Sequence, residues 1–184
     1  KIATWKTYLV TSNDGGETFS PQRELVLGDV GGRGPVKNKP IYLSDGTLIA
    51  PASIELEAET SWYPIVDLSY DDGKTWELVK IPLPNKPDLA VIQPTLWESE
   101  QGVVHAMMRT KHEQVWRSDS MDYGKTWCMA YPTDIPNNNS GLDVARLSDG
   151  TLALVGNPVT KRRHPLTLAF SKDNGYNKRN RKRI

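Results

Sequence analysis

The chain has 184 residues, 23 basic against 22 acidic, for a net charge of +1, and 38% of it is apolar. That length suffices for one globular domain with a sizeable core. Balanced charge excludes a whole-chain field aimed at nucleic acid or membrane. Cys128 is the single cysteine, so no intrachain disulfide framework exists.

The chain opens in a strand-like stretch, I-A-T-W-K-T-Y-L-V, and runs into S-N-D-G-G-E-T-F at 12–19. That start lies inside a repeat, which gives the expectation of a trimmed N-terminus. The same turn frame returns as S-Y-D-D-G-K-T-W at 69–76 and S-M-D-Y-G-K-T-W at 120–127, and begins again as S-K-D-N-G at 171–175. Its glycines are Gly16, Gly73, Gly124 and Gly175, which are 57, 51 and 51 residues apart. A period of about fifty residues made of short strands is the size of one four-stranded propeller blade.

The sequence between the turns repeats too. P-I-Y-L-S-D-G-T-L-I-A-P-A-S from Pro40, P-T-L-W-E-S-E-Q-G-V-V-H-A-M-M-R-T from Pro94 and V-A-R-L-S-D-G-T-L-A-L-V-G-N from Val144 each read as a hairpin. A third strand follows in each unit, at 65–69, 114–120 and 166–171, and a fourth leaves the turn, as in W-E-L-V-K-I and W-C-M-A-Y. Helical periodicity is absent. The prediction is an all-β chain of four-stranded antiparallel blades, with a partial blade over 1–27 and blades over about 28–82, 83–132 and 133–184. Self-alignment at one period argues against a generic β-sandwich.

Within the repeated turn, Asp can accept backbone N–H bonds, Gly supplies positive φ, and the aromatic residue can pack between sheets. Asp14, Asp71, Asp122 and Asp173 are therefore read as structural. Each turn offers too few oxygen ligands for calcium, so no metal is expected. His105, inside V-V-H-A-M-M, is read as a core histidine, with a lyase base as the alternative. The basic runs K-R-R-H at 161–164 and N-K-R-N-R-K-R-I at the C-terminal end are read as solvated, not as a nucleic-acid surface. No run of 18 apolar residues is present, so no membrane span is expected.

S-x-D-x-G-x-T-W resembles the Asp-box, or bacterial neuraminidase repeat, of the sialidase superfamily. G-P-V-K-N-K-P at 34–40, I-Q-P-T-L-W-E at 92–98, R-S-D-S-M-D-Y-G-K-T-W at 117–127 and N-N-N-S-G-L-D-V-A-R-L-S-D-G-T-L at 137–152 are similar to the bacterial exo-α-sialidase-like branch. The resemblance implies a sialidase-type propeller, six-bladed when complete. About three to four blades fit in this chain, which gives the expectation of a longer protein. It further implies a glycoside hydrolase acting on a terminal acidic sugar of glycans, without a cofactor. No signal segment is visible, which leaves localisation open between cytoplasmic and secreted for a soluble protein. A polysaccharide lyase on uronic-acid substrates and a non-catalytic carbohydrate-binding propeller are the alternatives.

In such blades the loops opposite the Asp turns surround the axial pocket. They fall at 28–40, 82–95, 132–143, 51–64, 109–114 and 157–165. Sialidases hold the substrate carboxylate with an arginine cluster and use a Tyr–Glu nucleophilic pair and an Asp acid/base. Carried over, Arg109 leads the arginine candidates, followed by Arg33 and then Arg162 or Arg163. Lys37, Lys39, Gln93 and Asn139 are further substrate-binding candidates, with the lysines also readable as solvated. The catalytic candidates are Asp143, Glu55 and Tyr63. Asp143 can equally brace its loop, Arg109 can equally serve a structural ion pair, and Glu57 and Glu59 share the loop of Glu55. The Arg-Ile-Pro motif that carries the first arginine of well-characterised sialidases is absent.

Overall fold

The computed structural model describes residues 5–34, 36–55, 62–176 and the backbone of 181–183. Every described element is a strand. Among the described residues, no helix is long and apolar enough to cross a membrane.

Three four-stranded sheets follow one another along the chain, each an antiparallel meander. The first runs β3 (Ile41–Tyr42), β4 (Leu48–Glu55), β5 (Trp62–Ser69) and β6 (Glu77–Lys80). The second runs β7 (Val91–Glu100), β8 (Val103–Thr110), β9 (Gln114–Ser120) and β10 (Tyr131–Pro136). The third runs β11 (Asp143–Arg146), β12 (Leu152–Gly156), β13 (Thr167–Ser171) and β14 (Arg181–Arg183). A two-stranded pair, β1 (Tyr8–Leu9) and β2 (Arg23–Glu24), precedes them.

Period-2 alternation decides what each sheet face meets. Ile49, Val66 and Leu68 of the first sheet pack with Leu96, Val104, Ala106, Met108 and Trp127 of the second. Trp97, Met107 and Val115 of the second pack with Leu142, Val144 and Leu152 of the third. Blades therefore stack face to face, with the core lying between them.

One fourth strand starts later than the sequence suggests. W-C-M-A-Y is not a strand from Trp127, since β10 begins at Tyr131. The reason lies in the backbone: Cys128 N–H is given to Asp119 O at 2.9 Å, and Ala130 N–H turns away to Pro82 O of the neighbouring unit at 2.8 Å.

The repeated turns are self-contained braces. Asp122 accepts from Thr126 N (2.8 Å), Thr126 Oγ1 (2.6 Å) and Ser120 Oγ (2.8 Å). Asp71 does the same with Thr75 and Ser69, and Asp14 with Thr18 and Ser12. The Thr75 backbone and hydroxyl bonds, outweighing slight desolvation, hold the Asp71 carboxyl down at about 2. Trp127 Nε1 donates to Gly124 O at 2.9 Å, pinning the ring between the first two sheets. Gly124 has φ +81°, and a Cβ there would stand 2.7 Å from Ile49 Cδ1. The fourth turn also closes, with Ser171 Oγ on Asp173 Oδ1 and Gly175 N on Ser171 Oγ. Its positions matching Thr126 and Trp127 lie outside the described residues. Asp122→Ala removes three bonds to one charged acceptor, so it is expected to destabilise the fold by roughly 2–4 kcal/mol. Chemical denaturation measures this, and any activity per folded molecule should stay at the wild-type level.

His105 is 3% exposed. It bonds Asp119 through Nδ1 and both Ser99 Oγ (2.7 Å) and Asn174 Nδ2 (2.8 Å) through Nε2, with its ring stacked on Trp97. It is a satisfied core residue near the Asp-turn end of its blade.

Candidate functional site

The ends of the strands opposite the Asp turns bring a polar cluster together. Arg109, next to last in β8, lies at its centre. Its Nε donates to Asn139 Oδ1 and its Nη1 to Gln93 Oε1, both at 3.0 Å. Neither partner is charged. This sets Arg109 apart from Arg33, which is paired with Asp29 and Asp67, and from Arg117, which is paired with Asp119. Arg109 therefore reaches the site with its charge neutralised by no contacting carboxylate among the described residues.

Glu55, the last residue of β4, shares this site. It is 5% exposed, and its Oε1 has no hydrogen-bond partner among the described residues. Desolvation raises its pKa, opposed by the field of Arg109 and a bond from the Gln93 side chain. Burying an unsatisfied carboxylate oxygen costs about 1–3 kcal/mol, which is how strain is stored at sites.

Gln93 sits between these two charges, and its backbone is unusual. It has φ +54° inside β7, at a break in the β7–β8 register between Ile92 and Thr95. A left-handed non-glycine residue costs about 1–3 kcal/mol and needs outside support. Ser53 Oγ accepts its N–H at 2.7 Å, and its carbonyl accepts from Asn38 Nδ2 at 3.2 Å. Asn139 is also left-handed, at φ +62°, in a loop shaped by buried Asn137. Asn137 Oδ1 accepts from Asn139 N and Thr110 N, and its Nδ2 donates to Ser140 O.

Two lysines cross from the first blade to the third. Lys39 Nζ donates to Asp143 Oδ2 and Val144 O, both at 2.9 Å. Lys37 Nζ donates to Asn38 Oδ1 (2.8 Å) and Leu142 O (3.1 Å). Its stem lies over Gly141, where a Cβ would meet Lys37 Cε at 2.2 Å. Burial lowers the Lys37 pKa, offset in part by Asp143. Asp143 also accepts from Thr95 Oγ1 at 2.6 Å. Desolvation works against its ionised form, but the Thr95 and Lys39 bonds outweigh it and hold its pKa below the usual value. A carboxylate so held stays ionised at neutral pH, which suits a brace or a fixed charge more than a proton donor.

The structure thus gathers Arg109, Gln93, Asn139, Glu55, Lys37, Lys39 and Asp143, and it leaves three other candidates apart. Tyr63 pairs with Ile54 in the β4–β5 register, while Glu55 pairs with Trp62. Strand alternation therefore sends Tyr63 and Glu55 to opposite faces, and Tyr63 packs with Ala52, Ile54 and Ile65. Arg33 lies on that same far face, on Asp67, whose carboxyl burial raises to about 6 against the pull of Arg33. Arg162 is exposed at φ +72° and has no bond to the cluster, whereas the charge of its neighbour Arg163 is felt at Arg109. Glu57 and Glu59 lie outside the described residues.

Asn38, Ser53, Thr95 and Asn137 build the site and were not picked out from sequence. Asn38 stands in G-P-V-K-N-K-P and Asn137 in N-N-N-S-G, so the short motifs held the signal. Their roles needed the neighbouring blade.

Residues 1–183 match a family described as BNR repeat-like domain. Sialidases of Paraclostridium sordellii and Clostridium perfringens are each 30% identical over 105 residues, which is 48% of this chain. Those stretches make up 25% and 26% of the two relatives, so the matched region spans about a quarter of their length. Among solved structures, the K499G mutant of the NanB sialidase from Streptococcus pneumoniae superposes with a TM-score of 0.73 at 20% identity, covering 89% of this chain and 25% of that one. An intramolecular trans-sialidase from Ruminococcus gnavus, in complex with oseltamivir carboxylate, gives 0.63 at 19% identity, covering 96% and 39%. These superpositions establish the fold, which is that of a sialidase β-propeller, with this chain covering part of one.

Proposed function

Since the chain belongs to the BNR repeat-like domain family of the sialidase superfamily, we propose that it is the substrate-binding part of a glycoside hydrolase that removes a terminal acidic sugar. The observation carrying this reading is Arg109, a guanidinium held by two neutral amide oxygens and, among the described residues, free of any contacting carboxylate. A planar guanidinium so presented binds a carboxylate through two parallel bonds. Lys37 adds positive charge near it, whereas the charge of Lys39 is met by Asp143.

Glycosidic cleavage needs one group to protonate the leaving oxygen and another to stabilise or attack the anomeric carbon. Glu55 is the carboxyl suited to proton transfer, because desolvation brings its pKa toward working pH. Asp143, held ionised by Thr95 and Lys39, serves as a fixed negative charge that orients Lys39.

The test is incubation of the full-length protein with a fluorogenic sialoside and, in parallel, with uronate polysaccharides. Release of the fluorophore is the expected result. Appearance of unsaturated uronate without sialoside turnover would establish a lyase instead, and ligand binding without turnover a lectin-like propeller.

A further inference from the structure

Gln93 and Asn139 are two left-handed, non-glycine residues that each give a side-chain oxygen to the same guanidinium. Gln93 Oε1 takes Nη1 and Asn139 Oδ1 takes Nε, both at 3.0 Å. The strained backbone of Gln93 is held from another blade and that of Asn139 from within its own loop. Ser53 and Asn38 of the first blade hold Gln93, and buried Asn137 holds Asn139. On the described residues these bonds take Nε–H and one N–H of Nη1, on opposite sides of the guanidinium, and no acceptor is bonded to Nη2. An arginine side chain has four rotatable torsions, so an unbraced one loses much of its binding energy to ordering.

We propose that Gln93 and Asn139 are positioning residues that lock Arg109, so that its Nη1–Nη2 end is presented as a rigid fork to the ligand carboxylate. The Gln93 side chain also lowers the Glu55 pKa, so the same amide acts on both the carboxylate-binding cation and the buried acid. Neither amide is required to touch the sugar. The strained φ of Gln93 fits this role, since it sits at a break in the strand register that frees its side chain from the regular alternation of faces and lets it meet Arg109. The inference rests on the acidic-sugar reading for its ligand but not for its geometry.

Two measurements separate the two claims. The first is the Nε–Hε NMR signal of Arg109 in the full-length protein without ligand, assigned with Arg109→Lys. In wild type it is expected to be slow-exchanging and rigid. Gln93→Ala, which keeps the same backbone constraint, should speed its exchange at least tenfold, with the melting temperature changed by only a few degrees. An Arg109 signal that Gln93→Ala leaves untouched overturns the proposal, whatever the enzyme does. The second is titration with N-acetylneuraminic acid and turnover of a fluorogenic sialoside. Gln93→Ala and Asn139→Ala should each raise Kd and KM by about 10–100-fold, and Gln93→Ala should move the alkaline limb of the kcat profile upward, as Glu55 loses the interaction that lowers its pKa. Gln93→Glu keeps the size and the acceptor but sets a carboxylate against Arg109, so binding should fall more steeply than in Gln93→Ala while the fold persists. Tighter binding in Gln93→Glu than in Gln93→Ala would overturn the proposal. A wild-type protein that ignores the sialic-acid probes but shows the Arg109 exchange effect would retire the substrate reading alone.

Discussion

Arg109→Ala is expected to lower kcat/KM on a sialoside by about 10²–10³-fold. Removing one member of a desolvated charge pair costs roughly 2–5 kcal/mol, and each 1.4 kcal/mol is a factor of ten. Among the described residues no carboxylate contacts Arg109, so its fork is available to the ligand. Its bonds to Gln93 and Asn139 are neutral, and their loss should shift stability by only about 1 kcal/mol each. Arg109→Lys should recover little, because an ammonium cannot satisfy two amide oxygens and a carboxylate fork together. Steady-state kinetics beside a thermal melt checks both parts, and an unchanged kcat/KM would remove Arg109 from the site.

Glu55→Gln is expected to separate activity from stability. Activity should fall by about 10²–10⁴-fold, the usual worth of a positioned acid or base. Stability at pH 7 should stay level or rise, because the substitution withdraws a buried charge whose Oε1 has no partner among the described residues. The sign follows from linkage. Burial raises the folded-state pKa of Glu55 above its ordinary 4.5. Its protonated form therefore favours the fold below that ordinary value, and the advantage is lost as pH rises through the raised folded pKa. The stability difference between Glu55→Gln and wild type should be greatest at neutral pH and shrink toward pH 4. Melting curves across that range read it directly. A variant markedly less stable than wild type at pH 7 would show Glu55 to be a structural partner.

The four-stranded units were legible because their instructions are local. Ser69, Asp71, Gly73 and Thr75 satisfy one another within four residues, so the same letters close the same turn wherever they recur. The late start of β10 was not legible, since it depends on Pro82 in another unit drawing off the Ala130 N–H. Among site candidates, Arg109 stood out by its place at the end of a strand facing the axial loops. Tyr63 was paired with Glu55 because both lie in one connection. The β4–β5 register, which a loop assignment does not contain, sets them on opposite faces.

What the sequence by itself determined is the blade: its period, its hairpins, its turn chemistry and the end on which the candidate loops lie. Only the tertiary structure decided which charges are neutralised and which are free. Arg33 and Arg109 are alike as letters in axial loops, yet one meets Asp29 and Asp67 and the other meets two amides. Lys39 and Asp143 find each other across 104 residues. Hydrogen bonds inside a turn are written within a few positions, whereas the electrostatics of an axial site are the sum of side chains from separate blades, which only their stacking brings within reach.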